Sequence, residues 1–206
     1  PSMKLGILGG TFDPIHLGHL HVARAALREG GLDSVLFLPD GDPPHKTPNT
    51  KDAERLHMVR IAIADEPRFF TSDMEMRRRG RTYTVDTLLA LKSEAPEREL
   101  IYVIGSDTLF LFPTWRTAGK VAELCTMLVV MREGDEAEAV RAGQANMQRE
   151  YGLVSTLLKT RGLPISSSQV REIRRRGGDI SGLVPPGVAE YIMRRGLYLG
   201  TGETPG

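Results

Sequence analysis

The sequence predicts an α/β fold, a doubly wound parallel sheet with helices on both faces and a small helical part toward the C-terminal end. Three observations lead there. Short runs rich in Val, Ile and Leu alternate with longer stretches of helical periodicity, the pattern of successive β-α units. The short runs are almost continuously apolar rather than alternating, as strands covered on both faces must be. Finally, the glycines, histidines, prolines and aspartates that stand out in the chain gather just after these runs. In open α/β sheets that is where ligands bind, at the C-terminal strand ends near the point where strand order reverses.

Strands are expected over 4–8, 34–38, 69–74, 100–104 and 126–131, with a sixth over 153–158. Helices are expected over 18–29, 53–65, 85–94, 136–148, 168–176 and 187–195. In the second of these, Leu56, Val59 and Ile63, with Met58 and Ala62, recur at helical spacing. One domain is expected over 3–200, with 166–200 as its C-terminal helical part. Pro1 and Ser2, ahead of Met3, read as a cloning remnant.

Bulk properties narrow the class. The 206 residues are 40% hydrophobic and 26% charged, which argues for a packed globule and against disorder. A formal net charge of +1 gives no electrostatic case for nucleic acid or for an anionic membrane as partner. The arginine clusters at 77–81 and 174–176 are then solvated faces or borders of an anion site. No apolar run approaches the ~20 residues of a membrane helix, and Lys4 leads straight into a strand without a signal-peptide core. The single cysteine, Cys125, lies in an apolar run and reads as a buried, inert thiol. A reducing cytoplasm is the expected setting.

After the first strand comes Gly9-Gly10-Thr11-Phe12-Asp13-Pro14-Ile15-His16-Leu17-Gly18-His19. The glycines permit close backbone approach, and Gly18 leaves no side chain to obstruct a phosphate. His16 and His19 share a face if both lie in the first helical turn. Unpaired backbone N–H groups and the positive end of the helix dipole should point to the same place. Two imidazoles at a helix start suit a polyphosphate whose charge grows in a transition state. Zinc is the competing use, but His21 falls on a different face and no cysteine or nearby carboxylate completes a tetrahedral set. The Gly-x-x-x-x-Gly-Lys-Ser/Thr and Gly-x-Gly-x-x-Gly phosphate loops are missing, which counts against kinase and dehydrogenase chemistry.

Far along the chain, Ile165-Ser166-Ser167-Ser168-Gln169-Val170-Arg171 leads into a basic amphipathic run that stops at Gly177-Gly178. Serine here is an N-cap signal. Alone it is an ordinary cap; beside a phosphate it supplies hydroxyls and the always-charged fork of Arg171. The middle of the chain holds three more strand-end segments. These are Pro43-Pro44-His45-Lys46, Thr82-Tyr83-Thr84 at a helix start, and Gly105-Ser106-Asp107 followed by the sole tryptophan, Trp115, in a Pro-containing loop. Trp115 is open to two uses, a buried anchor or a surface on which a planar ligand stacks.

The run from Gly10 to His19 resembles the HxGH nucleotidyltransferase superfamily. The Ser-rich segment is similar to that superfamily's Ile-Ser-Ser-Thr-x-x-Arg, with Ser168 in place of threonine and the hydroxyl kept. With the middle segments, the chain resembles bacterial nicotinate-mononucleotide adenylyltransferases from about residue 4 to 199; Asp42 departs from the asparagine common there. The resemblance implies a Rossmann-like fold and the joining of nicotinate mononucleotide to the AMP part of ATP, with release of pyrophosphate, in NAD biosynthesis. It implies catalytic roles for His16, His19 and Arg171. ATP would meet Gly9, Gly10, Thr11, Phe12, His16, Gly18, His19, Gly105, Asp107, Ile165, Ser166, Ser167 and Arg171. Nicotinate mononucleotide would meet Thr11, His45, Lys46, Thr82, Tyr83, Thr84 and Trp115. Mg2+ would ride on the ATP phosphates, without a metal site built from protein side chains.

Rival readings within this chemistry are a nicotinamide-mononucleotide or phosphopantetheine adenylyltransferase, or a cytidylyltransferase. From another class, the chain could be a nucleotide-sensing module without turnover. A homo-oligomer is compatible with the pattern, because apolar helix faces serve core and interface alike.

Overall fold

A computed structural model of the chain describes residues 3–41 and 50–200. Its six strands are β1 (Lys4–Gly10), β2 (Ser34–Pro39), β3 (Phe69–Thr71), β4 (Glu99–Gly105), β5 (Thr126–Val130) and β6 (Ser155–Leu157). They form one sheet in the order β3-β2-β1-β4-β5-β6, with every neighbouring pair parallel. Strand order therefore reverses between β1 and β4, so the C-terminal ends of these two strands frame the crevice where such sheets bind ligands.

The connecting helices are α1 (Leu17–Glu29), α2 (Asp52–Ile63), α3 (Thr84–Glu94), α4 (Ser106–Leu111), α5 (Ala118–Leu124), α6 (Ala137–Tyr151), α7 (Ser167–Arg175) and α8 (Pro186–Arg195). Alternate residues of each strand face opposite layers. Leu8, Val35, Phe37, Ile101 and Val103 pack with Leu20, Met58, Val170 and Ile192 from α1, α2, α7 and α8. Ile7, Leu36, Leu38, Leu100 and Ile104 pack with Leu88, Leu109, Val121 and Val140 from α3, α4, α5 and α6. The C-terminal helices thus complete one layer: the His57 and Tyr191 rings meet at 4.8 Å, and Arg195 pairs with Glu54 at 2.9 Å.

Several expectations shift. Strand β3 ends at Thr71 rather than 74, because Ser72 and Asp73 accept backbone N–H groups of a turn. Helices α4 and α5 were not expected, and Pro113 lies in a 3-10 turn over Phe112–Thr114 rather than in a loop. Cys125 is buried as expected, and burial pushes its thiol pKa up to about 12. The arginine clusters are largely engaged within the molecule. Arg77 pairs with Asp73, Arg78 donates to Thr87, Arg175 and Arg176 hold Glu172, and buried Arg174 donates to the Leu197 carbonyl. Among the described residues no helix is long and apolar enough to cross a membrane.

Candidate active site

A cavity of about 940 Å³ opens at the ends of β1 and β4. That is near the upper end of ordinary small-molecule sites, which run to ~1,000 Å³. Of the residues singled out from sequence, Gly9, Gly10, Thr11, Phe12, His16, Gly18, His19, Thr82, Thr84, Gly105, Asp107, Trp115, Ile165, Ser166, Ser167 and Arg171 all line it. Tyr83 does not; its ring lies under the guanidinium of Arg116 at 4.5 Å. His45 and Lys46, with Asp42, lie outside the described residues.

The histidines are arranged more specifically than helical spacing implies. His16 is not in the first turn of α1 but caps it: its Nδ1 accepts the N–H of Gly18 at 3.0 Å. His19 reciprocates, its Nδ1 accepting the N–H of His16 at 3.0 Å, and the rings stack with centroids 3.7 Å apart. Because each Nδ1 accepts, each neutral ring carries its hydrogen on Nε2 and has one donor to offer. Burial lowers the pKa of His16 to about 4. Burial, and then the neighbouring His16, holds His19 well below the usual range. Both are neutral near pH 7.

One expectation is corrected here. The N–H groups of Leu17, Gly18 and His19 are taken, by the Leu183 carbonyl, His16 Nδ1 and the His16 carbonyl respectively. The start of α1 therefore presents imidazole donors and the helix dipole rather than unpaired backbone N–H groups. Gly18 itself must be small, since a Cβ there would lie 2.7 Å from His16 Cε1. Gly9 is likewise forced by its surroundings, because a Cβ would meet Tyr102 Oη at 2.8 Å. Above Gly105, by contrast, no atom lies within 4 Å of such a Cβ, so the end of β4 is open to a ligand. Phe12, buried and with φ of 51°, has its ring between His19 and Phe37 and shapes the loop from within.

The start of α7 closes onto this loop. Ser166 caps the helix by accepting the N–H of Gln169, Ser167 Oγ donates to the Pro14 carbonyl, and Arg171 Nη1 donates to the Asp13 carbonyl at 2.9 Å. Distant segments thus meet at one place, with Ser168 Oγ also accepting from Arg171. The carboxylate of Asp13 is buried and accepts Tyr198 Oη at 2.6 Å and Thr50 Oγ1 at 2.8 Å.

Across the cavity, Tyr83 caps α3 with its backbone and no side-chain bond, so no capping side chain takes the first N–H groups of that helix. Trp115 is half-buried, with its ring 5.4 Å from Phe112 and 6.1 Å from Tyr102. It is anchored by these rings and also lines the cavity. Asp107 sits exposed on the rim, paired with Arg132 at 3.0 Å.

Four contributors had not been singled out: Arg55, Asp40, Glu75 and Tyr102. Arg55 is fully buried beneath the cavity and donates to the carbonyls of Thr11 and Asp40 and to the Asp52 carboxylate. Asp40 and Glu75 both line the cavity. Burial raises the pKa of Asp40, against the pull of Arg55. Burial pushes Glu75 up to about 7, opposed by its hydrogen bond from Thr87 and reinforced by Asp40. The Tyr102 hydroxyl is also pushed up, by burial first and then by Glu75.

The cytidylyltransferase-like family profile matches residues 7–173. A Synechococcus protein named "Probable nicotinate-nucleotide adenylyltransferase" is 42% identical over 200 residues, which cover 95% of this chain and 97% of the relative. The chain belongs to the nicotinate-nucleotide adenylyltransferase family. A Symbiobacterium thermophilum protein of the same name is 40% identical, over 98% of both chains. The family fold is matched by the Plasmodium falciparum nicotinic acid mononucleotide adenylyltransferase solved with NaAD. That structure has a TM-score of 0.79 at 21% identity, covering 95% of this chain and 97% of its own.

Proposed function

We propose that this chain transfers the adenylyl group of ATP to the 5′-phosphate of nicotinate mononucleotide, giving nicotinate adenine dinucleotide and pyrophosphate. The observation that carries the reading is the meeting, on one cavity, of the stacked His16–His19 pair with the Arg171 end of α7, while Trp115 and the start of α3 line its far side. The family membership and full-length identity with proteins named for this activity support it.

The roles follow from donor chemistry. The Nε2–H groups of His16 and His19 would hold the triphosphate, with His19 bearing on the charge that builds at the α-phosphorus. Arg171, already oriented by the Asp13 carbonyl, would take phosphate oxygens with Lys46. Gly9, Gly10, Thr11, Gly18, Ile165, Ser166 and Ser167 would border the phosphates. The open space over Gly105 would admit the adenosine, with Asp107 hydrogen-bonding its ribose. Trp115 would stack on the pyridine ring, and N–H groups at the start of α3, beside Thr82, Tyr83 and Thr84, would receive its carboxylate; His45 would serve the same subsite. The mononucleotide phosphate attacks in line, so no covalent enzyme intermediate is required. Catalysis is positioning and charge stabilisation, by the neutral imidazole donors and by the Arg171 cation.

Magnesium would arrive on the ATP phosphates. Around the histidines stand the Ser166, Ser167 and Ser168 hydroxyls and Arg171, donors that suit phosphate, while the nearby Asp13 carboxylate is engaged by Tyr198 and Thr50. When bound, the ion neutralises phosphate charge and eases departure of pyrophosphate. Residues 3–200 act as one nucleotidyltransferase domain in the cytoplasm, with 166–200 as its C-terminal helical part.

The test is pyrophosphate release from ATP and Mg2+ with nicotinate mononucleotide against nicotinamide mononucleotide. Release favouring the nicotinate form supports the reading; release only with the nicotinamide form keeps the chemistry and removes the substrate; silence with both removes the reaction.

A further inference from the structure

The mononucleotide side of the cavity carries two acids that the chemistry above does not use. Glu75, in the turn after β3, and Asp40, at the end of β2, line the same space as Thr82, Thr84 and Trp115. The two segments are tightly apposed, since a Cβ on Gly41 would fall 3.1 Å from the Glu75 carbonyl oxygen. Glu75 is buried, and its Oε1 accepts the hydroxyl of Thr87 in the opening turns of α3 at 3.2 Å. The same hydroxyl accepts from Arg78 at 3.0 Å. Around Glu75 are therefore Asp40 from β2, Tyr102 from β4, Thr87 from α3 and Arg78 from its own turn. Tyr102 is neutral and Arg78, bonded to the same Thr87 hydroxyl, offsets part of the negative charge, so Asp40 is the like charge this carboxyl shares the wall with.

We propose that Glu75 is a specificity-determining residue, whose protonation state sets the preference between an anionic and a neutral substituent on the pyridine ring. This rests on the adenylyl-transfer reading above. A nicotinate carboxylate entering a wall that already bears Asp40 and an ionised Glu75 meets two like charges that Arg55 and Arg78 offset only in part. With its proton, Glu75 repels nothing and has a hydrogen to donate. A carboxamide is indifferent to the charge. Glu75 titrates near neutrality, since burial raises its pKa to about 7. Selectivity for the acid is then high below that pH and falls above it.

The experiment measures kcat/KM for nicotinate mononucleotide and for nicotinamide mononucleotide between pH 6 and 8.5, in the wild type and in Glu75→Gln. Taking the ratio cancels every titration the two reactions share, including the histidines, the mononucleotide phosphate and ATP. In the wild type the ratio should fall about tenfold as pH rises, the scale of one like charge at close range in a partly wetted site. In Glu75→Gln, which keeps an acceptor for Thr87, the ratio should be flat. Asp40→Asn supplies an independent check: removing the neighbouring charge should move the wild-type midpoint to lower pH. A ratio independent of pH in the wild type, or one that falls equally in Glu75→Gln, overturns the proposal while leaving adenylyl transfer intact. Silence with both mononucleotides removes that reading and the proposal together. A merely structural role for Glu75 would lower both activities without changing how their ratio depends on pH.

Discussion

Arg55 donates from Nη1 to the carbonyl oxygen of Thr11 at 2.5 Å, forty-four residues away in sequence, and ties two strand ends together from beneath the cavity. Its Nη2 reaches the Asp40 carbonyl at 2.7 Å and the Asp52 carboxylate at 2.7 Å, so one guanidinium sets the spacing of β1, β2 and α2. A fully buried cation with these acceptors cannot be removed without stranding them. Arg55→Met should therefore destabilise the fold by about 3–5 kcal/mol, and Arg55→Lys, which keeps the charge but not the fork, by less. Urea unfolding at pH 7.5 reads this directly. An unchanged midpoint in the methionine variant would mean that the carbonyls find other partners.

Much of the site was legible because it is local. The Gly10–His19 segment holds its glycines, its cap and its imidazoles within one loop and one helix start, and the Ser-rich start of α7 declares itself as a cap. Arg171 could be placed opposite the histidines only through the resemblance, since nothing in its own segment points to the Asp13 carbonyl. Arg55 and Glu75 escaped notice for a physical reason. Each acts through carbonyls or hydroxyls brought near by tertiary packing, and an arginine inside an amphipathic helix or a glutamate after a strand has no distinctive periodicity. Helices α4 and α5 span only 6 and 7 residues, too short for a period to register, and Pro113 between them looked like a loop.

His19 offers one Nε2–H donor from a neutral ring whose other nitrogen is held by the His16 N–H. Removing a preorganised donor of this kind costs about 10²–10³ in kcat. His19→Ala should show that loss in pyrophosphate release with little change in KM for the mononucleotide, if the ring bears on the triphosphate as proposed. A loss confined to KM would assign His19 to binding alone.

Stability should respond to His16 as pH falls. Its folded-state pKa of about 4 lies below the ordinary 6.5, so the unfolded chain takes up the proton first. Nothing is lost above pH 6.5, and up to about 3 kcal/mol is lost between there and pH 4. Glu75 runs the opposite way: pushed up to about 7, it favours the folded chain at low pH and loses that contribution as pH rises through 7. Comparing wild type with His16→Asn by urea unfolding at pH 7 and pH 4.5 separates the two. The variant should gain on the wild type at the lower pH, and a constant difference would refute the assignment.

Trp115 is held by Phe112 and Tyr102 on one side and faces the cavity on the other. Stacking of a planar ring on an aromatic side chain contributes about 1–3 kcal/mol, so Trp115→Ala should raise KM for the mononucleotide by roughly 5–150-fold. KM for ATP should hold, and Trp115→Phe should recover part of the loss. Equal effects on both substrates would make Trp115 a packing residue only.

Gly18 separates fold from function most sharply. Its backbone suits any residue and it lies in a helix, where alanine is intrinsically favoured over glycine by about 1 kcal/mol. Yet an added Cβ would lie 2.7 Å from Cε1 and 2.8 Å from Nδ1 of His16, so the ring must swing away and its bond to the Gly18 N–H must lengthen. The two effects oppose each other in stability but not in activity, because the displaced ring is also one half of the stacked pair with His19. Gly18→Ala should therefore unfold within a few degrees of the wild type while losing about 10–100-fold in kcat, the scale of a misplaced catalytic group. Thermal unfolding and pyrophosphate release on the same preparation decide it. Wild-type turnover in that variant would mean that the His16 ring can move without consequence and that its stacked geometry is incidental to catalysis.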